Sequence, residues 1–396
     1  MPTDHPYRDA YALPEGLHFL NGATMSPQLR SVTEAGVAAV VEKEDPTRYV
    51  PARWLPPTVA LRERFARLVG SPSADRVALV PSVSYALATV AQNAEVARGQ
   101  KIVSVAEVFP SGYYTWRRLA AERGASVELV GVPAGAGDPG AAWNEALLGA
   151  VDETCALVAA PPIHWSSGVV YDLAALRERC DAVGALLVVD ATQWAGARPL
   201  DVTALRPDAL VAGGYKWLGG PYALGYLYLG ERLLGGRPLE EAWMNRAGSE
   251  DFSRLTEWTD EYRPGAQRYN VGEMSNFVHV AMASAALAQL LEWGVDGIAR
   301  RTDALVGPYW EAFRAAGFAV GAPPYRSAHL FGLALPPSTD RAALKAALDA
   351  ERVAVSFRGR YLRVSPHASS RAADLDALLR VLARHAAPGR PTYATA

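Results

Sequence analysis

Between residues 101 and 229, short β-branched or apolar runs alternate with amphipathic ones: KIVSV, SGYYTWRRLAAERG, SVELVGV, TCALVAA, DLAALRERCDAVG, ALLVVD, DALVAGG and ALGYLYL. The short apolar runs suit buried strands, and the longer segments between them carry helical spacing. Strands separated by helices need crossover connections, so they run parallel and are covered on both faces. The expected class is therefore α/β, with a mostly parallel central sheet flanked by helices. Upstream, PTVALRERFARLVG and SYALATVAQNAEVARG show the same helical spacing and add to these layers. The Gly, Ala and Pro punctuation of GVPAGAGDPGAAW reads as a surface loop.

From about residue 255 the texture changes. A polar stretch, RLTEWTDEYRPGAQRYNVGEMSN, precedes the long helix pattern FVHVAMASAALAQLLEWG. A further helix, the short strands HLFGLAL, RVAVSF and YLRVS, and the helix pattern SSRAADLDALLRVLARHA complete the chain. Three parts are expected: an N-terminal segment, 1–20, associated with a small domain; a large domain, 21–255; and a smaller C-terminal α/β domain, 256–396. A chain of 396 residues that is 50% hydrophobic can bury one large core and a second, smaller one. With 39 basic and 41 acidic side chains it has no broad field for a nucleic acid or an anionic membrane, and neither partner is expected. There is no run of about 18 apolar residues, and MPTDHPYRDAYALPEG has neither the basic start nor the apolar stretch of a signal peptide. The cytoplasm is the expected location. Cys155 and Cys180 sit in apolar or helical contexts without metal-ligand spacing; both read as core residues, and no metal is expected.

In open α/β sheets ligands collect beyond the carboxyl ends of the strands, and four such ends here carry candidates. ALLVVDATQWAGA delivers Asp190, with Gln193 three residues later; the carboxylate alone would serve equally as a turn cap. DALVAGGYKW ends in glycines, Tyr215 and Lys216, a lysine with no acidic neighbour in sequence. Burial lowers an amine's pKa and makes it a usable nucleophile. In VPSVSYALATV, Ser82 and Ser84 stand where a strand gives way to a helix, suited to capping or to binding an anion with free N–H groups. In AEVFPSGYYTW, Phe109 follows a strand and is either core or a plate for a planar ligand. Together, a plate, an anion cradle, a carboxylate and an unpaired lysine describe a site for pyridoxal 5′-phosphate (PLP).

The run VVDATQWAGARPLDVTALRPDALVAGGYKWLGGPYALGYLYL resembles the core motif of class V aminotransferase-type enzymes of fold type I, which include kynureninases, isopenicillin-N-epimerase-like proteins and cysteine desulfurases. The likeness extends through FLNGATMSP, VFPSGYYTWRRLAAERG, PPIHWSSGVVYDL, WMNRAGSEDF, PGAQRYNVGEMSNF and LRVSPH. It implies Lys216 as the Schiff-base lysine, Asp190 as partner of the pyridine nitrogen, Gln193 near the phenolic oxygen and Phe109 as the stacking group. It implies that Ser84 and the N–H groups of Val83 and Ser84 hold the phosphate, with Tyr215 adding its phenol. Gly272 and Glu273 match the segment that reaches a neighbouring subunit's site, so a homodimer is implied. Arg363 matches the grip on the substrate carboxylate, with Asn21 and His164 on the substrate side.

Desulfurases need a nucleophilic cysteine on a small-domain loop; no cysteine suits that role, and the segment from Val353 to Arg363 is too short for the loop. IHWSSG departs from the usual HxSNxxG pattern, so His164 and Trp165 either face the substrate or stack in the core. Arg246, Glu250, Arg263 and Arg268 form either a solvated surface or a selective entrance. The expected activity is transamination of an α-amino acid, with lyase or epimerase chemistry as the alternative; a non-catalytic binding module would lack the lysine or the aspartate.

Overall fold

The computed structural model describes residues 5–48 and 50–385. Its strands are β1 (His18–Phe19), β2 (Val77–Val80), β3 (Lys101–Val105), β4 (Ser126–Val130), β5 (Cys155–Ala160), β6 (Leu186–Asp190), β7 (Ala209–Gly213), β8 (Gly225–Leu229), β9 (Phe331–Ala334), β10 (Val353–Ala354), β11 (Ser356–Arg358) and β12 (Tyr361–Val364). Seven of them form one sheet in the order β2-β8-β7-β6-β5-β3-β4. Only β8 runs against its neighbours, β2 and β7; the other pairs are parallel. The expected class, α/β with a largely parallel sheet, is the one observed.

Strand residues divide by their two-residue period even where the run is apolar throughout. Val103, Val105, Val158, Leu187 and Val189 face one core, which they share with helices Pro51–Leu68, Pro139–Gly149 and Leu173–Val183. Ile102, Leu157, Leu186, Val188 and Val211 face the other, under helices Val83–Asn93 and Pro110–Arg123. The chain runs outward from β3 to β4, then returns past β3 to β5 and continues the other way. That reversal leaves a crevice at the carboxyl ends of β3 and β5, the position where such sheets bind ligands.

Two features differ from the sequence reading. The glycine-rich stretch is a loop only as far as Asp138, whose carboxylate accepts from the N–H groups of Gly140 (2.9 Å) and Ala141 (3.3 Å) and starts helix Pro139–Gly149. Proline at the first helical position costs nothing there, because its missing N–H would have had no partner. The second concerns the stretch after 255. Ala266 and Tyr269 pack in one core of the large sheet, and Val280, Ala283, Leu287 and Leu290 of helix Phe277–Trp293 pack in the other. This packing continues past Gly294 (φ +70°) to Val295 and Ile298.

Beyond it, β11, β12 and β9 form an antiparallel sheet with Ser356 opposite Arg363 and Arg363 opposite Gly332. Helices Arg341–Ala350 and Ala372–His385 cover it over a third core that includes Leu344, Leu362, Val364, Leu378 and Leu20. β1 pairs in parallel with β10, which ties the start of the chain to this smaller sheet. No single helix among the described residues is long and apolar enough to cross a membrane.

Candidate active site

The crevice is lined by residues delivered from the ends of β3, β5, β6 and β7, among them Phe109, His164, Asp190, Gln193, Tyr215 and Lys216. Glycines explain how a lysine reaches it. A Cβ on Gly214 would lie 2.6 Å from the carbonyl oxygen of Leu224, and one on Gly196 (φ +92°) 2.5 Å from that of Trp217. Only glycine permits these backbones to close so tightly around the lysine loop. Trp217 anchors the loop from below: it is buried, and its Nε1 donates to Gln193 Oε1 at 2.9 Å.

Lys216 is 8% exposed, and its amine has no hydrogen bond or ion pair among the described residues. Its Nζ lies 5.5 Å from the centre of the Phe109 ring and 5.6 Å from that of Tyr215. Burial lowers its pKa to about 8; Asp190 opposes the shift and the charges of Arg363 and Arg358 add to it. Asp190 accepts from the Thr192 N–H through Oδ1 at 3.0 Å. Its other oxygen is uncommitted among the described residues. Gln193 donates through Nε2 to the carbonyl of Ala23 at 3.0 Å, so with its bond to Trp217 this amide is held from both ends.

Helix Val83–Asn93 points its amino end at the crevice, with Val83 on the wall. Ser82 is the cap, its hydroxyl accepting from the Tyr85 N–H at 3.1 Å. The first N–H groups of a helix have no partner within it, and those of Val83 and Ser84 are such groups. The Ser84 side chain is exposed and is not among the pocket's lining residues. Tyr215 is half-buried and packs on Tyr222 at 4.7 Å, and burial raises its pKa.

A second set of groups comes from the smaller sheet and the amino-terminal loop. Arg363 is 2% exposed and donates to Ser356 Oγ (3.2 Å), the carbonyl of Trp165 (3.0 Å) and Thr24 Oγ1 (2.7 Å). Thr24 donates in turn to Asn21 Oδ1 at 2.7 Å. Trp165 meets Phe109 edge to face at 5.4 Å, and its Nε1 donates to the Glu107 carbonyl at 2.7 Å. His164 is fully buried, and burial lowers its pKa to about 4, so it is neutral at pH 7. Its Nε2 faces the carbonyl of Glu107 (3.3 Å), which makes this nitrogen the donor, while Nδ1 lies 2.9 Å from Ser167 Oγ. His164 is thus both core and wall. Thr24, Ser356 and the near side of Trp165 have no signal in sequence beyond the motifs that contain them.

Gly272 and Glu273 do not line the crevice. The Gly272 N–H donates to Glu240 (2.7 Å), and the adjacent Val271 N–H bonds the carbonyl of Leu79 on the edge strand β2. The polar group before helix Phe277–Trp293 bonds mostly with nearby groups: Arg246 pairs with Glu241 (2.5 Å), Arg263 with Glu250 (2.6 Å), and Arg268 donates to the carbonyl of Gly235 (3.1 Å). None of these lines the crevice.

A family model described as aminotransferase class-V matches residues 58–377. The chain belongs to the class-V aminotransferase family. An uncharacterized aminotransferase, YcbU, of Bacillus subtilis (strain 168) is 31% identical over 66% of this chain and 66% of its own length. Isopenicillin N epimerase of Amycolatopsis lactamdurans is 26% identical over 95% of this chain and 96% of its own. In fold, the class-V chain is similar to a cysteine desulfurase of Thermococcus onnurineus NA1, with a TM-score of 0.77, 20% identity and 96% of each chain covered. The family is one of PLP-dependent enzymes. The residues here fit that cofactor: a buried amine without an ion-pair partner, a half-committed carboxylate, an aromatic ring and an open helix end surround one crevice.

Proposed function

We propose that this class-V enzyme transfers the amino group of an α-amino acid. The observation that carries the reading is Lys216, buried and without an ion pair in the crevice where Asp190 and Phe109 converge. When bound, PLP supplies an electron sink for negative charge at the substrate α-carbon. Lys216 holds the cofactor and then carries a proton from the α-carbon; with a pKa of about 8 its amine is neutral often enough near pH 7.5 to accept one. Asp190 would keep a proton on the pyridine nitrogen, Phe109 would stack on the ring, and Gln193 would serve its phenolic oxygen. The N–H groups of Val83 and Ser84 would hold the phosphate with Tyr215. Arg363 grips the substrate carboxylate with the planar fork suited to it, steadied by Ser356 and by Thr24 with Asn21. His164 and Trp165 close the substrate side and exclude water.

Elimination or epimerisation is the second reading, and it is favoured by the epimerase relative, which aligns with nearly the whole chain. Desulfuration is not favoured: β11 and β12 are joined by Gly359 and Arg360 alone, and burial pushes the thiols of Cys155 and Cys180 up to about 11 and about 12. We also propose a cytoplasmic homodimer in which Gly272 and Glu273 serve the partner's site; the exposed Glu273, turned outward at a φ of 59°, supports this. The domain division is best drawn within helix Val295–Val306, whose Ile298 packs in a core of the large sheet and whose Val306 packs in the third core, with residues 18–20 grouped with the smaller sheet through β1.

The test is borohydride reduction of the purified protein followed by mass spectrometry. The expected result is a phosphopyridoxyl mass on Lys216 and none on the folded Lys216→Ala variant; the same mass retained elsewhere on that variant overturns the reading. Products from a panel of amino acids then separate a keto acid from a fragment or an inverted stereocentre.

A further inference from the structure

Arg363 is not alone. Arg358 donates through Nη2 to Thr24 Oγ1 at 3.3 Å, the same oxygen that accepts from Arg363 at 2.7 Å. A threonine hydroxyl has one proton and two lone pairs. Here the proton goes to Asn21 Oδ1 and both lone pairs face guanidinium groups, so Thr24 is saturated and can take no further donor.

The charges are not balanced as the hydrogen bonds are. Arg363 has only neutral partners, and Arg358 adds to Thr24 the carbonyl of its neighbour Phe357 at 2.8 Å. Neither makes an ion pair among the described residues. Arg177, Arg198, Arg246 and Arg263 show the ordinary arrangement, each with a carboxylate within 2.9 Å. Two like charges converging on one hydroxyl repel, and the repulsion is strongest where water is excluded, as it is around Arg363. Arg363 donates to the carbonyl of Trp165, a residue of the crevice wall, and shares Thr24 with Arg358, so the pair adjoins the same site.

One α-carboxylate compensates one guanidinium. We propose that the substrate is a short acidic amino acid whose second anionic group, a carboxylate or an equivalent oxyanion on the side chain, pairs with Arg358 while Arg363 holds the α-carboxylate. This rests on the reading of Arg363 given above and names the substrate class for that site. Arg358 is the better candidate for the side chain because it is only partly buried and no bond among the described residues engages its Nε, whereas the buried Arg363 is fixed by Ser356, Trp165 and Thr24 and keeps one N–H on each Nη for the α-carboxylate.

The test compares aspartate and glutamate with asparagine and glutamine, which have the same shape without the charge. Binding to the holoenzyme is read from the change in cofactor absorbance. In the wild type the acidic member of each pair is expected to bind about ten- to hundred-fold more tightly, the value of a charge-assisted hydrogen bond. In Arg358→Gln this ratio falls toward one. The proposal is overturned if the wild type prefers the amides, if Arg358→Gln leaves the ratio intact, or if it weakens acid and amide equally, which would mean that both arginines grip one carboxylate. A preparation without cofactor absorbance would count against the site reading itself. In that event calorimetry with succinate still decides the arginine pair: binding that is lost in Arg358→Gln supports it, and no binding to the wild type overturns it.

Discussion

At the scale of single residues, Lys216 shows how surroundings set chemistry. Burial takes water from its amine, Arg363 and Arg358 push the same way, and Asp190 pulls back. In cofactor-free protein, reductive trapping of the amine by a small aldehyde should therefore rise with pH around a midpoint near 8 rather than the usual 10.5. Removing a positive charge favours the protonated amine, so Arg358→Gln moves the midpoint up. Removing the negative charge moves it down, as in Asp190→Asn. A midpoint unmoved by both would mean that burial alone sets it. Lys216, Asp190 and Phe109 were legible because each stands at a strand end or within four residues of one, and a strand end fixes where the next side chains sit. Thr24 and Arg358 were not, because nothing local joins positions 334 residues apart. Ser84 was legible as part of a helix start, yet the sequence did not decide which serine would cap; the structure gives that bond to Ser82.

At the scale of elements, the alternation between 101 and 229 was sufficient to foresee the sheet, since crossovers leave few arrangements for parallel strands. The reversed β8 was not foreseeable from apolarity: a strand buried on both faces reads the same in either direction. The stretch GVPAGAGDPGAAW misleads for a related reason, because Asp-Pro starts a helix as readily as it makes a turn. The cap is testable. Asp138→Ala should lower stability by about 1 kcal/mol, measured by urea denaturation, while Asp138→Asn should retain most of it. The lysine loop gives the opposite kind of case. Gly214→Ala should cost about 1–3 kcal/mol and reduce cofactor retention, because a methyl group there meets a carbonyl that cannot withdraw. Unchanged retention in that variant would show that the loop has more room than its contacts imply.

At the scale of the whole molecule, the three largest cores among the described residues divide the work: two sandwich the large sheet and one supports the arginines. The third contains Leu20, fully buried though it lies more than 300 residues from most of its neighbours. Leu20→Ala should cost about 2–5 kcal/mol. Because the loop that follows Leu20 carries Thr24, the same change should weaken substrate binding more than cofactor binding, read by separate titrations. Equal losses would mean that the third core steadies the large sheet as well.

The bond between β1 and β10 also sets an order in time. During synthesis the first strand waits, unpaired, until residues 353 and 354 have left the ribosome, and the Asn21 bridge waits for Ser365. The large sheet is complete by residue 229, so it can fold first, and the arginine end of the site is assembled last, by the closing of the chain on its own beginning.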